Sequence, residues 1–225
     1  LMHGGLANQL KTRVHYVDSE LLENEKIAEH LSGMDGILVA PGFGERGMEG
    51  KIVAVEYART HNIPFFGICL GLQMAIIECA RNLGGLTDAH SAEFRPDHKN
   101  NVVDLMPGQE GRLETGGSMR LGSYPAHLLK GSKIASIYQA TEISERHRHR
   151  YEVMNHFIPM LEKCGMQISG RNPELDLVET IERADHPWFI ACQFHPELKS
   201  KPLLPHPLFA SYIHAAHEHR KFRLG

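Results

Sequence analysis

The chain has 225 residues, with 24 Lys and Arg against 27 Asp and Glu and a formal net charge of −3. A chain of this length can bury a core without disulfides, and its near-neutral charge gives no general argument for binding nucleic acid or an anionic membrane. The four cysteines lack paired spacing and no run of about 18 apolar residues occurs, so we expect a soluble, cytoplasmic protein with reduced thiols.

The first half of the sequence alternates apolar runs of strand length with amphipathic stretches, a pattern typical of parallel strands joined by crossover helices. We predict a strand at 12–17, a helix at 21–31, a strand at 36–39, a helix at 50–61, a strand at 63–68 and a helix at 70–81. Residues 83–117 are rich in Gly, Asp, Asn and His, which predicts an irregular loop with a short strand at 101–105.

The second half contains shorter β-like runs and one terminal helix. The runs lie at 134–138, 166–170, 177–182 and 188–194, and the helix at 208–221. No internal repeat or composition break marks a second domain. We therefore predict one α/β domain over residues 1–225, with an open, mostly parallel sheet flanked by helices. Because the chain begins with Leu1 rather than Met, we expect it to be a fragment of a longer polypeptide.

Cys69 lies between two glycines, in Gly67-Ile68-Cys69-Leu70-Gly71, where a predicted strand passes directly into a predicted helix. Flanking glycines permit the sharp, strained turn of a nucleophile elbow. The partial positive charge of a helix N-terminus favours a thiolate, so we expect the site to lower the pKa of the Cys69 thiol. Close backbone packing also explains such glycines, so the motif indicates a nucleophile only together with its partners.

His195 and Glu197 form a candidate pair in Phe194-His195-Pro196-Glu197, at the end of an apolar predicted strand. In an extended segment, residues two apart point to the same side, so both side chains can serve one site. An imidazole that takes the thiol proton and a carboxylate that orients the imidazole complete a catalytic triad. A surface His beside a Glu is the ordinary alternative, but open α/β sheets place their ligands at this edge.

Pro41-Gly42-Phe43-Gly44 follows another predicted strand. A glycine there lets a backbone N–H approach a ligand oxygen, and the N–H groups of Gly42 and Leu70 would together form an oxyanion hole. The same sequence is also typical of an ordinary turn, so this assignment depends on the other two motifs.

In this order the three motifs resemble those of the class I glutamine amidotransferases. More narrowly, the sequence is similar to the glutaminase domains of the CTP synthase family, from about residue 3 to residue 213. The similarity is carried by residues 42–47, 67–73, 118–122, 145–152 and 193–197. The Arg-His-Arg-His-Arg run at 146–150 is particularly specific to that family, whereas the triad motifs are shared by the whole class.

The resemblance implies a flavodoxin-like α/β fold and hydrolysis of L-glutamine through a thioester on Cys69. The ammonia would pass to a synthetase domain, absent from this sequence, that aminates ATP-activated UTP to CTP. ATP, Mg²⁺ and UTP are expected in that domain, no cofactor is expected in this one, and GTP is expected as an allosteric effector. The resemblance further implies a homotetramer of full-length chains, with neither nucleic acid nor membrane as a partner.

The resemblance also assigns the glutamine pocket to six residues, Gly42, Phe43, Leu70, Gln73, Glu93 and Arg150. The Glu93 carboxylate suits the α-ammonium of glutamine, and the planar guanidinium of Arg150 suits the α-carboxylate. Gln73, one turn after Cys69, lies on the nucleophile's side of the predicted helix.

Two features depart from the family pattern. The oxyanion loop reads Ala40-Pro41-Gly42-Phe43-Gly44, where the family commonly has Pro-Gly-Gly-Phe-Gly. Proline in place of the first glycine predicts a stiffer loop that keeps the Gly42 donor. The segment at 103–118 is shorter than usual, so we expect a different response to GTP.

Sixteen histidines raise the question of a metal, but no Cys-x-x-Cys or His-Glu-x-x-His pattern supports His214, His217 and His219, and we predict none. Residues 146–150 could form a solvated face or a nucleic-acid patch, although the family resemblance favours substrate contact for Arg150. Two alternatives stay open: a glutaminase of another amidotransferase or a γ-glutamyl hydrolase, and a catalytically silent module that binds a synthetase partner.

Overall fold

The computed structural model describes residues 1–23, 27–105 and 119–225. The helices in these ranges are α1 (Met2–Ala7), α2 (Ile27–Leu31), α3 (Met48–Thr60), α4 (Leu70–Asn82), α5 (Lys133–Tyr138), α6 (Ile158–Lys163) and α7 (Pro207–Leu224). The strands are β1 (Ile37–Val39), β2 (Phe65–Ile68), β3 (His90–Ser91), β4 (Asn101–Leu105), β5 (Arg120–Leu128), β6 (Glu142–His149), β7 (Tyr151–Val153), β8 (Gln167–Arg171), β9 (Val178–Glu182) and β10 (Phe189–Cys192). Short 3₁₀ turns lie at Ser19–Glu23, Asn155–Phe157 and Pro196–Leu198.

The main sheet of the described residues has the strand order β1-β2-β10-β9-β8-β5-β6, and β3-β4-β7 form a smaller sheet. β1, β2 and β10 run parallel, whereas the other four neighbouring pairs of the main sheet are antiparallel. Parallel strands need a crossover, which α3 supplies between β1 and β2. The predicted α/β class is confirmed, but the sheet is mixed rather than mostly parallel, because the second half of the chain pairs as antiparallel neighbours.

The centre of the sheet is covered on both faces, as the burial of β2 shows. Phe65 and Phe66 are both fully buried and point to opposite faces, since side chains alternate along a strand. Phe65 packs on Phe189 at 4.5 Å between ring centroids, on the face covered by α3 and α4. Phe66 packs on Phe209 of α7 at 5.6 Å on the other face. The carboxyl end of β2, which the candidate nucleophile follows, is thus packed between two buried layers.

Most elements predicted in the first half are present with boundaries shifted by a few residues: the strands at 36–39, 63–68 and 101–105, and the helices at 50–61 and 70–81. The predicted strand at 12–17 is wrong, because those residues pair with no strand in the described structure. The predicted helix at 21–31 corresponds to a 3₁₀ turn and α2, and its residues 24–26 lie outside the described ranges.

In the second half, the predicted runs at 177–182 and 188–194 contain β9 and β10, the run at 166–170 overlaps β8 with a shift of one residue, and the terminal helix is α7. The β-like run at 134–138 is wrong, because it forms α5. The Ser132 hydroxyl accepts a hydrogen bond from the Ala135 N–H, and the Glu182 carboxylate accepts from the N–H groups of Lys133 and Ile134. These caps satisfy the first turn and stabilise a helix. No helix in the described ranges combines the length and apolar character needed to span a bilayer.

Candidate active site

Cys69 lies at a strained turn between β2 and α4. Its φ and ψ are +54° and −102°, a conformation that non-glycine residues rarely adopt and that often marks functional sites. The two flanking glycines are required by packing. A Cβ on Gly71 would collide with the carbonyl oxygen of Val39, and one on Gly67 would lie 2.7 Å from the Gly71 carbonyl oxygen. The Cys69 N–H donates to the Cys192 carbonyl at 2.8 Å, which fixes the turn to β10.

The environment of the Cys69 sulfur favours the neutral thiol. Burial raises the pKa of the thiol to about 12, and the negative charges of Glu197, Glu93 and Glu152 act in the same direction. A hydrogen bond from the Leu70 backbone N–H lowers the pKa but does not compensate for the loss of hydration. The predicted lowering of this pKa is therefore wrong. A base must take the proton before the sulfur can act as a nucleophile.

His195 and Glu197 are in direct contact. The Nδ1 atom of His195 lies 2.6 Å from Oε1 of Glu197, and the buried Nε2 atom has no hydrogen-bond partner among the described residues. The expected extended geometry is wrong, because Glu197 lies in the 3₁₀ turn Pro196–Leu198. That turn still brings the carboxylate to the imidazole. Nε2 is left available to a reacting group.

The Cys69 motif and the His195 motif follow the carboxyl ends of β2 and β10, which are neighbouring parallel strands. Cys192, the last residue of β10, is paired with Ile68, the last residue of β2. Cys69 is the residue directly after Ile68, and His195 lies three residues after Cys192. Both residues therefore leave the same edge of the sheet, where open α/β folds place their ligands.

Gln193, a residue not predicted for the site, contacts the sulfur. Its Nε2 atom donates to the Cys69 Sγ atom over 3.7 Å, and its Oε1 atom accepts from Gln73 Nε2 over 3.4 Å. Gln73 also donates to the carbonyl oxygen of Tyr151 at 3.2 Å. The position of Gln193 two residues before His195 was the available signal, since it lies in the same motif.

A cavity of about 360 Å³ lies beside this network. It brings together three of the predicted pocket residues with three that were not assigned to the pocket, and its lining is Phe43, Glu93, Met119, Arg148, Arg150 and Tyr151. Gln73 is not among the lining residues, but its amide donates to the carbonyl oxygen of Tyr151, which is. The cavity carries a carboxylate and guanidinium groups on its lining.

The Glu93 carboxylate and the Arg150 guanidinium on the lining of this cavity interact electrostatically. Burial raises the pKa of Glu93, whereas the hydrogen bond from the Gly44 N–H, at 2.8 Å, and the charge of Arg150 lower it. The Nε atom of Arg150 is buried without a hydrogen-bond partner among the described residues. Both side chains therefore retain capacity for a charged ligand.

The loop after β1 approaches the N-terminus of α4. A Cβ on Gly42 would lie 3.3 Å from Cδ2 of Leu70, so the loop packs next to the residue that follows Cys69. Phe43 is 58% exposed, and the guanidinium of Arg148 lies 5.8 Å from its ring centre. The structure thus places Gly42 and Leu70, the two predicted oxyanion donors, next to each other.

The Arg-His-Arg-His-Arg run divides between two sides of β6. His147 and His149 are buried, whereas Arg146 and Arg148 are exposed, because side chains alternate along the strand. Arg150 follows the strand and lines the cavity. The run is therefore neither a continuous solvated face nor a uniform basic patch.

The buried histidines belong to a network of charged groups. Arg120 donates to Glu179 at 2.6 Å and to Glu152 at 3.1 Å, and His149 Nε2 lies 2.7 Å from the same Glu152 oxygen. Burial lowers the pKa of His147 to about 2, and the charge of Arg120 adds to this effect. Within the described ranges, no group of three or more His, Cys, Asp or Glu side chains is arranged to hold a metal ion.

Comparison with known protein families shows which family the chain belongs to. The family model described as "Glutamine amidotransferase class-I" matches residues 1–215. The chain therefore belongs to the class-I glutamine amidotransferase family. Within it, the chain is similar to CTP synthases of Geobacter metallireducens, 57% identical over 220 residues, and Geobacter sulfurreducens, 57% identical over 216 residues. These alignments cover 98% and 96% of this chain but only 41% and 40% of the relatives' length.

Solved structures agree with this placement. The glutaminase domain of Trypanosoma brucei CTPS with bound acivicin matches with a TM-score of 0.91 at 39% identity, covering 96% of this chain and 85% of that chain. A glutamine amidotransferase from Thermotoga maritima matches with a TM-score of 0.51 at 12% identity, covering 89% of this chain and 84% of the other. The second match shows a shared fold alone.

Proposed function

We propose that residues 1–225 form one glutaminase domain, which hydrolyses L-glutamine to glutamate and ammonia through a thioester on Cys69. One observation carries this proposal: the strained Cys69 turn and the His195–Glu197 pair end two adjacent parallel strands. A thiol, an imidazole with a free nitrogen and an orienting carboxylate are the groups that nucleophilic acyl transfer requires.

The adjacent cavity suits an α-amino acid. Glu93 would pair with the α-ammonium, and Arg150 would bind the α-carboxylate through its planar fork. Phe43 forms an apolar part of the lining and Gln73 connects the cavity to the sulfur through Gln193. A substrate held by these groups would direct its side-chain amide toward Cys69.

The reaction begins when Nε2 of His195 takes the Cys69 proton and the sulfur attacks the carboxamide carbon. The N–H groups of Gly42 and Leu70 stabilise the oxyanion of the tetrahedral intermediate, and loss of one such donor raises the barrier by about 3 kcal/mol. His195 then gives its proton to the nitrogen, the C–N bond breaks and ammonia leaves. Water, deprotonated by the same imidazole, attacks the thioester and releases glutamate and the thiol.

The burial of the thiol indicates when proton transfer occurs. Because burial keeps the pKa of Cys69 near 12, the free site holds a neutral thiol. A charge on the buried sulfur would be unfavourable unless the carboxamide is already in place, so that the sulfur can bond to its carbon while the charge moves to its oxygen. Proton transfer to His195 and attack on the carboxamide would therefore be coupled.

The names and lengths of the relatives support a role within a larger enzyme. The curated relatives are CTP synthases, and this chain spans 41% and 40% of their length. In the whole protein the ammonia would aminate UTP, activated by ATP with Mg²⁺, in a separate synthetase domain. GTP would act as allosteric effector on a cytoplasmic homotetramer. This domain itself would need no cofactor.

The test is glutamate release from glutamine by this chain and by Cys69→Ala, with Cys164→Ala as a matched control at a partly buried thiol. Labelling by 6-diazo-5-oxo-norleucine is located by mass spectrometry. Release that Cys69→Ala abolishes and Cys164→Ala preserves establishes a self-sufficient glutaminase. Labelling at Cys69 without turnover indicates a formed site that needs its synthetase partner. The absence of both labelling and turnover would contradict the triad and favour a silent binding module. Cleavage of γ-glutamyl peptides in preference to glutamine favours a γ-glutamyl hydrolase.

A further inference from the structure

Arg120, the first residue of β5, is a buried cation that contacts two buried carboxyl groups. Its Nη1 atom donates to Oε1 of Glu152 at 3.1 Å, and its Nη2 atom donates to Oε1 of Glu179 at 2.6 Å. Arg120 is 5% exposed and both glutamates are fully buried. The guanidinium also lies 4.5 Å from the ring centre of Tyr124, in a cation–π contact. These three charged residues are here called the Arg120 clamp, because they join β5, β7 and β9.

The contact between Arg120 and Glu152 links the two sheets. β5 belongs to the main sheet and β7 to the smaller sheet, and in the described structure no ladder of backbone hydrogen bonds joins these two strands. The chain passes from β6 to β7 through a bend at Arg150. The contact therefore spans the point at which the chain leaves the main sheet.

Both ends of this contact are next in the chain to residues that line the cavity. Met119 precedes Arg120 and Tyr151 precedes Glu152, and both preceding residues line the cavity. Successive side chains of a strand point to opposite faces, so Glu152 is buried where Tyr151 faces the cavity. The position of the Arg120–Glu152 contact thus sets the position of the cavity wall.

Glu152 also holds the other side of the bend. The Oε1 atom that accepts from Arg120 lies 2.7 Å from Nε2 of His149. His149 and Glu152 flank Arg150, the residue proposed to bind the α-carboxylate of glutamine. The carboxylate therefore closes a short loop around Arg150.

Glu179 connects Arg120 to the segment that carries the candidate base. The Glu179 carbonyl oxygen accepts from the Gln193 N–H at 2.9 Å, and the side-chain amide of Gln193 contacts the Cys69 sulfur. His195 follows two residues after Gln193. One guanidinium therefore links the wall of the cavity to the segment between Gln193 and His195.

Stability alone does not account for buried charges at this place. Burying an ion pair is costly, and apolar side chains of similar volume often give an equally stable protein. Burial raises the pKa of Glu179 to about 8 in spite of the Arg120 charge, so this carboxyl holds its proton at neutral pH. Glu152 then balances the charge of Arg120. What a planar guanidinium adds is geometry, because its nitrogens hold two oxygens in fixed directions.

We propose that Arg120 is a positioning residue for glutamine hydrolysis: it holds the cavity wall through Glu152 and fixes that wall relative to Cys69 through Glu179. This inference rests on the proposed function of the domain. Arg120 is not among the residues that line the cavity, so it acts through Tyr151 and Arg150. A shift of the bound substrate by about 1 Å can lower a reaction rate by about 100-fold.

The test replaces both ends of the inter-sheet contact in one double variant, Arg120→Met with Glu152→Leu, which leaves neither charge behind. The matched control is Arg59→Met with Glu78→Leu. This second buried pair is bonded at 2.6 Å between α3 and α4, and neither residue is among those that line the cavity. Circular dichroism establishes that both double variants fold. Glu152→Gln, which keeps the volume of the side chain, is measured beside them as a milder change.

Labelling of Cys69 is followed with two reagents. 6-Diazo-5-oxo-norleucine is a glutamine analogue that must occupy the cavity, whereas iodoacetamide needs the thiol alone. In the clamp double variant we expect labelling by the analogue to slow roughly 10- to 100-fold. Labelling by iodoacetamide should stay within about 3-fold of the native rate, because the two removed charges are opposite. Glu152→Gln should slow the analogue in the same direction, and the control should match the native chain with both reagents.

Unchanged labelling by the analogue in the clamp double variant would overturn the proposal. An equal loss with both reagents would overturn it too, because it would show a general disruption of the site. A native chain that takes no label from the analogue would contradict the proposed function instead. Hydrogen exchange at the β7 amides then decides about the clamp. Exchange that is faster by on the order of tenfold in the clamp double variant than in the control supports it, and equal exchange overturns it.

Discussion

The side-chain amide of Gln193 donates to the sulfur of Cys69 over 3.7 Å while its oxygen accepts from Gln73. Gln73 also donates to the Tyr151 carbonyl beside the cavity that Glu93 lines. The candidate nucleophile and the candidate substrate pocket are therefore connected by two buried amides. This connection predicts that the amides orient the sulfur for attack.

Replacing Gln193 with leucine removes the donor to the sulfur and keeps a similar volume. Loss of a buried hydrogen bond costs about 1–3 kcal/mol, so kcat should fall between about 5- and 150-fold. KM should change less, because Gln193 does not line the cavity. Steady-state glutaminase kinetics test this, with Gln167→Leu in β8 as control. An unchanged kcat would mean that Gln193 only fills space.

Arg150→Met should weaken glutamine binding, because Arg150 is the proposed partner of the α-carboxylate. A hydrogen-bonded charged contact contributes about 1.5–3 kcal/mol, so KM should rise roughly 10- to 150-fold. Arg146→Met is the matched control, since Arg146 belongs to the same run but is exposed and does not line the cavity. Equal KM values for the two variants would contradict the pocket assignment.

The reactivity of Cys69 should depend steeply on pH in the ligand-free protein. Because burial raises the pKa of the thiol to about 12, the thiolate fraction should rise about tenfold per pH unit between pH 7 and pH 10. Rates of carbamidomethylation by iodoacetamide, resolved at Cys69 by peptide mass spectrometry, check this slope. A rate that levels off below pH 9 would show that the helix N-terminus outweighs burial.

His147 should make the fold sensitive to acid. Its imidazole stays neutral in the folded protein until about pH 2, whereas in the unfolded chain it binds a proton below about pH 6.5. As pH falls below 6.5 the unfolded state therefore binds more protons. The free energy of unfolding should decrease by up to about 1.4 kcal/mol per pH unit from this group.

His147→Phe removes that proton uptake and keeps a ring against Tyr124 and Phe194. The midpoint of acid unfolding, followed by circular dichroism, should move to lower pH. His127→Phe, at an exposed position of β5, is the control and should leave the midpoint in place. An acid midpoint unchanged in His147→Phe would show that the buried imidazole is not a source of acid sensitivity.

The elements that sequence predicts well are those whose signal is local and apolar. β2, α4 and α7 show apolar runs or helical spacing, and their bounds differ from the predictions by at most three residues. β6 was missed because its inward side chains are Glu145, His147 and His149. A strand that buries charged residues lacks the alternation of apolar and polar residues from which strands are predicted.

Other failures depend on distant parts of the molecule. Residues 12–17 have a strand sequence but no neighbour to pair with, and residues 134–138 become a helix because Ser132 and Glu182 cap it. Motifs predict Cys69 and His195 as site residues, but the raised pKa of the thiol depends on how deeply the fold buries it. Burial of a single atom cannot be read from a local pattern.

The most direct measurement of the central claim is detection of a γ-glutamyl adduct on Cys69. This chain is mixed with glutamine, quenched in acid within its first turnover and analysed by peptide mass spectrometry, and a parallel sample is treated with hydroxylamine. The account predicts an adduct confined to Cys69 that hydroxylamine releases as γ-glutamyl hydroxamate, as expected of a thioester. Glutamate release with no adduct on Cys69, or an adduct on another residue, would contradict it.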